Sequence, residues 1–515
     1  MAKKGKKRGA RAFPKGRHPS QEVLAEVEEL IGDVPKGRDL LIEHLHTLND
    51  HFGALTKDHL AALAQKLGLA QVDVYETATF YAHFDVIDEA TALPHQSIVR
   101  VCQGPACQMA GSAALLNQID NAVPAPCQGA CENAPSAMAG DTRTAPAVAG
   151  QLTPTSKPPT IGAVDTSPSP NIAQQLEIAG LRGVGGAGFP VAQKWKFLTE
   201  DGHDRVLVVN ADEGEPGTFK DRHLFETEPE KVLRGLAIAA LALDVHDVFV
   251  YLRDEYPHIH TALSEALPKL KLSNCKVHLR RGAGAYVCGE ESALLNSLEG
   301  KRGQPRNRPP YPAQSGYMGR PTITHNVETL FWIADIAERG GQAFADEGRP
   351  RFYSVSGRIK NPGVYRAPSS TTVAKLIETA GGMHDGQSFT AFLPGGASGG
   401  IFPARFADRA MDFGVFEELG GFVGSGALIV LSELDSIWSV ARDMMKFFAH
   451  ESCGKCTPCR VGTEKMVGLL DNPAENEDII RTLSQAMQDA SICGLGQAAP
   501  NPVLSIFDHF EEEKA

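Results

Sequence analysis

The 515-residue chain lacks any apolar run approaching the ~18–20 residues that cross a bilayer, so no direct membrane span is expected. It lacks a cationic surplus: 62 acidic residues outnumber 50 Lys and Arg, for a net charge of −12. Nucleic acid is therefore not the expected partner of its body. No period of 20–50 residues repeats, which excludes solenoids and propellers. The start, MAKKGKKRGARAFPKGR, is basic but no apolar h-region follows it, so a secretory signal is not expected and a cytoplasmic protein is. Residues 1–19 read as a disordered basic arm. A docking arm for an acidic partner is the sharper alternative.

What is present is ordinary globular composition, 42% hydrophobic and 22% charged, with ten cysteines. Grouped cysteines in a long chain without a secretory signal point to metal or redox chemistry rather than disulfides. Eight of the ten fall into two groups. Cys275 and Cys288 stand apart and read as small apolar residues.

The length suits several domains, and the pattern predicts an α/β multidomain chain. Residues 20–140 begin with amphipathic helices, Leu40–Gly53 and Lys57–Gly68, each ended by glycine. Ser97–Cys102 reads as a strand. Residues 141–170 are rich in Thr, Pro, Ala and Ser and read as a linker. Residues 171–345 alternate helix and strand signals, with strands expected at Arg205–Asn210, Asp247–Leu252 and Cys275–Arg281. That alternation predicts a layered α/β sheet. Residues 346–433 show short strands around one helix, TTVAKLIETAGG, and read as a β-grasp-like module. Residues 434–515 read as a helical bundle.

Cys453, Cys456 and Cys459 are spaced C-x2-C-x2-C, and Cys493 follows two predicted helices later. Three thiolates on one tight loop with a remote fourth is the spacing that ligates [4Fe–4S]. Zinc also takes four thiolates, but usually as two separated pairs. Cys102 and Cys107 (C-x4-C) with Cys127 and Cys131 (C-x3-C) suit [2Fe–2S]; zinc, or a site that keeps its cysteines without a metal, stays open there.

GVGGAGF (Gly183–Phe189) has the glycine count of a dinucleotide fingerprint, which would imply a strand–turn–helix unit. The residues before it, Ile172, Leu176, Ile178 and Leu181, have helical spacing instead. That argues against a Rossmann crevice and against the rival reading of a Rossmann dehydrogenase with structural zinc. A non-enzymatic iron–sulfur relay or scaffold is the other rival.

With VVNADEGEPGTFKDR (Val208–Arg222), GAGAYVCGEESALLNSLEGKRGQPRNRPPYP (Gly282–Pro312) and THNVETL (Thr324–Leu330), the glycine loop and the C-terminal cysteines resemble the FMN- and NADH-binding flavoprotein subunit of respiratory complex I. They equally resemble its relatives in NAD-linked hydrogenases and formate dehydrogenases. The N-terminal part resembles the thioredoxin-like [2Fe–2S] subunit of the same complexes, fused here into one chain. LLIEHLH, TATFYAHFDV, YLRDEYP and LPGGASGGI look most like the β subunit of a soluble NAD-dependent formate dehydrogenase.

The resemblance implies FMN held by Gly183, Gly185, Lys194, Asn210, Asp212, Glu213, Tyr286, Gly289, Glu290, Glu291, Asn326 and Thr329. It implies NAD(H) held by Gly186, Phe189, Phe197, Glu215, Arg308 and Tyr311. It implies [4Fe–4S] on Cys453, Cys456, Cys459 and Cys493, and [2Fe–2S] on Cys102, Cys107, Cys127 and Cys131. No side-chain acid, base or nucleophile is nominated, because hydride transfer needs none. The implied function is a diaphorase-type electron-transfer subunit. Its implied partner is a molybdenum or tungsten formate dehydrogenase α subunit, with a small iron–sulfur subunit possible; hydrogenase and complex I partners are the alternative. A carboxylate at the ribose favours NAD over NADP. Three departures stand out: Val184 where relatives often carry Arg, His325 in place of Asn, and only 19 residues between Cys107 and Cys127.

Overall fold

The computed structural model describes residues 16–32, 34–88, 98–198 and 204–510. The first fifteen residues of the basic arm lie outside them. Its last residues are placed, not disordered as read: the Arg17 backbone and side chain bond Gln71 and Asp58, both at 2.9 Å.

Four helices open the described chain, Gln21–Ile31, Leu41–Phe52, Lys57–Leu67 and Gln71–Ala78. Gly53 and Gly68 end the second and third in left-handed conformations, as their sequence positions predict. The next unit is a four-stranded sheet ordered Ala122–Ala125, Val99–Cys102, Ala137–Ala139, Thr142–Thr144. Its last strand occupies the start of the stretch read as linker. The correction has a simple cause: TRT pairs with Ala137–Ala139 through its backbone, which composition does not reveal. Beyond Gln151 the chain runs without strand or helix to residue 170. It is nevertheless pinned to the next unit, where Glu230 accepts from the Gly162 amide at 2.6 Å and Arg234 donates to the Asp165 carbonyl at 3.0 Å.

That next unit holds four parallel strands ordered Thr322–Asn326, Arg205–Ala211, Val245–Leu252, Lys276–Arg281. The two inner strands are nearly continuous apolar runs because helices or other units cover both faces. Pro229–Ala242 and Val327–Arg339 pack on one face, with Trp332 fully buried between layers. The N-terminal helices cover the other. Leu45, Tyr81, Phe249, Tyr251 and Leu294 belong to one apolar core that continues to Met445 and Phe448 of the last unit. So the opening helices share a core with the parallel-sheet unit, although sequence order groups them with the cysteine-bearing sheet.

A five-stranded sheet follows, Gly363–Ala367, Arg351–Gly357, Ala427–Ser432, Phe389–Ala397, Phe402–Pro403, with the helix Val373–Thr379 against it. This is the expected β-grasp-like module. The chain ends in helices Ile437–Glu451, Thr457–Leu469, Glu477–Ala490 and Asn501–His509, with a short turn of helix at Gly494–Ala498. Among the described residues no helix is long and apolar enough to cross a membrane.

Candidate functional site

The glycine loop follows a helix, Ile172–Ala179, and leads into another, Val191–Lys196. It folds on itself: the Gly183 amide donates to Phe189 O at 2.8 Å, and Arg182 Nε to Gly188 O at 2.6 Å. Val184 is buried, and its amide donates to Thr329 Oγ1 at 3.2 Å. Thr329 thus holds the loop from below. A Cβ on Gly185 would lie 2.8 Å from Asn326 Cβ, so only glycine permits this approach.

Asn326 and Asn210 are register partners at the C-terminal ends of neighbouring parallel strands. That is where open α/β sheets place their ligands. Asn326 also caps the thirteen-residue helix Val327–Arg339, accepting from the Glu328 amide at 3.0 Å. The crevice therefore lies beside a helix N-terminus suited to an anion such as a phosphate.

The opposite wall comes from Tyr286–Glu291. Asn210 donates to Gly289 O at 2.8 Å. Glu290 caps the helix Glu291–Leu298 and pairs with Arg308. Lys194 reaches across to Glu291 (2.9 Å) and the Thr324 carbonyl (2.9 Å). Asp212 is held above the carboxylate range, at about 8, chiefly by burial, and its Oδ2 is buried without a partner. At neutral pH it presents a protonated oxygen.

Glu213, expected to meet the flavin, lies buried beside the crevice. Its carboxylate accepts from the Asp221 amide (2.8 Å), the Arg222 amide (3.2 Å) and Tyr256 Oη (3.0 Å). The reason is local: it caps the uncapped start of the helix Lys220–Thr227. His325, the other departure, is buried and accepts from Trp195 Nε1 at 2.7 Å. Burial pushes its pKa down to about 3, so it stays neutral and adds no charge to the crevice.

Behind the crevice lies a buried ionic network that the sequence patterns do not single out. Lys220 is 1% exposed and pairs with Glu328 (2.6 Å) and Asp221 (3.1 Å). Asn326 donates to Asp221, so the network fixes the residue under the glycine loop. The one signal in the sequence is the KD pair that follows NADEGEPGTF directly.

On the outer side Phe189 and Phe197 are 43% and 57% exposed, with ring centroids 5.9 Å apart. Tyr311 is 55% exposed. Solvent-facing aromatics at the rim of a polar crevice suit a stacking partner. Glu215 sits deeper, accepting from Tyr286 Oη and from Ser398 of the β-grasp module. Gly186 has φ +147° and open space where a Cβ would lie.

Both cysteine groups flank the crevice. Cys102, Cys107, Cys127 and Cys131 are buried together with Phe219, which lies in the block after NADEGEP. Cys127 and Cys131 sulfurs are 3.4 Å apart. The Gly104 and Gly129 amides point at the Cys102 and Cys127 sulfurs, each at 3.4 Å. Such N–H groups stabilise thiolate charge, which suits a cluster ligand. Arg253 joins this loop to the crevice, donating to Cys127 O (2.6 Å) and to Glu213 O. Arg222 adds a bond to Gly129 O at 2.9 Å.

Cys453, Cys456 and Cys459 lie on one loop running into the helix Thr457–Leu469, and Cys493 opens the turn Gly494–Ala498. Tertiary packing brings the two segments together: a Cβ on Gly496 would lie 2.8 Å from Cys459 Cβ. Burial raises Cys459 and Cys493 to about 11 and about 12 as free thiols, and a bound cation would reverse that. The loop docks on the crevice wall through Gln304 to Cys453 O (3.1 Å) and Glu451 to the Tyr286 amide (2.9 Å).

The donor sets fit FMN and two thiolate-held clusters, and the comparisons with known proteins agree. Residues 27–158 match the thioredoxin-like [2Fe–2S] ferredoxin family and residues 176–335 the Nuo51 FMN-binding domain. Residues 352–402 match the SLBB domain, and 439–515 the NADH-ubiquinone oxidoreductase-F iron–sulfur binding region. The chain is 37% identical over 375 residues to the F subunit of the NADH-quinone oxidoreductase of Aquifex aeolicus, 68% of this chain and 86% of that one. It is 37% identical to the HndC subunit of the NADP-reducing hydrogenase of Solidesulfovibrio fructosivorans, over 66% of this chain and 75% of that one. Among solved structures, a chain of an NAD+-reducing [NiFe]-hydrogenase in the H2-reduced state superposes with a TM-score of 0.79. It is 31% identical and covers 93% of this chain and 92% of its own.

Proposed function

The chain belongs to the family of NADH-quinone oxidoreductase F subunits, and on that premise we propose that it is an NAD(H)-dependent electron-transfer subunit. What carries the reading is convergence. Asn210–Glu215 and Tyr286–Glu291, far apart in sequence, share one crevice beneath the glycine loop, flanked by both cysteine groups. FMN, when bound, exchanges two electrons as hydride with a nicotinamide and passes them on singly. The residues of the chain bind and orient. Asn326, Asn210 and the helix start behind them meet the FMN phosphate and ribityl chain, with Lys194 as counter-charge. Asp212 offers a hydrogen bond from its protonated oxygen. Phe189, Phe197 and Tyr311 stack on the adenine side, Arg308, paired with Glu290, contacts the nucleotide, and Glu215 meets the ribose hydroxyls. Cys453, Cys456, Cys459 and Cys493 hold [4Fe–4S]; Cys102, Cys107, Cys127 and Cys131 hold [2Fe–2S].

For the electron source we favour formate, oxidised on a molybdenum or tungsten partner subunit. Support comes from the wording of Leu40–His46, Thr77–Val86, Tyr251–Pro257 and Leu393–Ile401. Each of these stretches lies where units meet: His46 bonds Gly282 O, Tyr81 bonds Ser297, Arg253 bonds Cys127 O, and Ser398 bonds Glu215. A hydrogen-coupled reading has its own support in the full-length similarity to the hydrogenase chain. Purification of the native complex followed by formate- and hydrogen-driven NAD reduction separates them. Formate-driven reduction is expected; hydrogen-driven reduction alone refutes the choice. On the isolated chain, NADH:ferricyanide activity with bound FMN is expected, and its absence refutes the broader reading.

A further inference from the structure

We propose that Ser398 is a positioning residue of the nicotinamide-nucleotide site, fixing the Glu215 carboxylate from another structural unit. The proposal rests on Glu215 as the ribose contact.

Glu215 and Ser398 are 183 positions apart, yet Glu215 Oε1 accepts from both the Ser398 amide (2.8 Å) and its hydroxyl (2.9 Å). Tyr286 Oη donates to Oε2. Each carboxylate oxygen thus has a fixed donor. A carboxylate has roughly four lone-pair sites, so acceptor capacity remains for ribose hydroxyls. Burial works against the ionised form of Glu215, and the Tyr286 and Ser398 donors oppose that shift.

The loop that carries Ser398 packs closely on the Glu215–Pro216 segment. Gly396 has φ +68°, and a Cβ there would lie 2.6 Å from Pro216 O and 2.8 Å from Glu215 Cγ. The loop is also held from behind. Asn501 Nδ2 donates to Ser398 O at 3.0 Å, and Ser505 Oγ accepts from the Ile401 amide at 2.8 Å. Ser398 and Asn501 are 5% and 7% exposed, so neither bond competes strongly with water. Three units therefore meet on one carboxylate: the flavin unit supplies it, the β-grasp module orients it, and the C-terminal helices fix the orienting residue. A rigid carboxylate discriminates against a ribose 2′-phosphate; a loosened one swings aside.

The test uses the full chain loaded with FMN and iron. Ser398→Ala, Ser398→Thr, Asn501→Ala and Glu215→Gln are compared in NADH:ferricyanide kinetics and in direct NAD+ binding by calorimetry. Ser398→Ala is expected to weaken NAD+ binding and raise KM for NADH about tenfold, the size of one charge-assisted hydrogen bond, with the larger part of the effect in KM rather than kcat. The NADPH-to-NADH ratio of kcat/KM should rise. Ser398→Thr should restore most of the loss, and Asn501→Ala should shift KM in the same direction by less. If Glu215→Gln weakens binding while Ser398→Ala does not, the positioning role is refuted and the ribose contact stands. If neither variant changes binding, the ribose contact itself fails. If Ser398→Ala loses FMN or iron, Asn501→Ala decides: unchanged NAD+ binding there overturns the proposal.

Discussion

Replacing Lys220 by Met tests whether the buried network behind the crevice is what holds it. Lys220 is 1% exposed and Glu328 is 0% exposed. The wild-type cluster sets one ammonium against Asp221 and Glu328. Glu328 keeps two further bonds, from Trp332 Nε1 and the Phe352 amide, both at 2.9 Å. Methionine matches the length of the lysine but removes the charge. The carboxylates are then buried without a cation, which costs about 3–5 kcal/mol. For a unit of roughly 150–250 residues that corresponds to a fall of ~10 °C in its unfolding midpoint. The deficit should shrink as pH falls, because the unpaired carboxylates take up protons more readily in the folded state than in the unfolded one. Asn326 loses the ordered Asp221 acceptor, so FMN should also dissociate more readily. The assay is calorimetric unfolding with FMN content measured by released fluorescence, in Lys220→Met, Glu328→Gln and the double variant. Recovery of part of the loss in the double variant is the coupling signature. A Lys220→Met midpoint within about 1–2 °C of wild type, with additive effects in the double variant, refutes the argument.

Gly185→Ala should lose most FMN affinity while keeping both clusters, because the new Cβ would lie 2.8 Å from Asn326 Cβ; FMN and iron counts check this. Asp212→Asn should gain stability relative to wild type as pH rises from about 4 to about 8. Asp212 ionises in the unfolded state near pH 4 but in the folded state only near 8, so wild type loses folding free energy across that window and the amide does not. FMN-free protein in pH-dependent denaturation is the readout, and parallel curves refute it. Cys493→Ser should lower iron from about six to about two per chain, leaving the [2Fe–2S] signal in electron paramagnetic resonance; retention of about six irons refutes that ligand.

Much of this protein is determined locally and is legible in sequence. The helices at Leu41–Phe52 and Lys57–Leu67 follow from apolar spacing and a terminal glycine, and the inner strands Arg205–Ala211 and Val245–Leu252 from continuous apolar runs. The cysteine spacing predicts which thiols gather. The helical spacing before Gly183 excludes a Rossmann turn by itself, and the helix Ile172–Ala179 is there. Each of these signals lies within a few residues, where backbone geometry alone decides.

Only the tertiary structure decided partners. Glu213 and Glu215 are two positions apart in one acidic motif. One caps the helix Lys220–Thr227 and the other meets Ser398. Both lie past the end of the strand Arg205–Ala211, where the contacts available come from different units. Thr142–Thr144 is a strand because a neighbouring strand offers its backbone, and the first helices join the flavin-type core because their apolar faces find no comparable surface on the small cysteine-bearing sheet. Periodicity says which face is buried. It carries no information about what buries it, and Lys220, Ser398 and Asn501 act only through that choice.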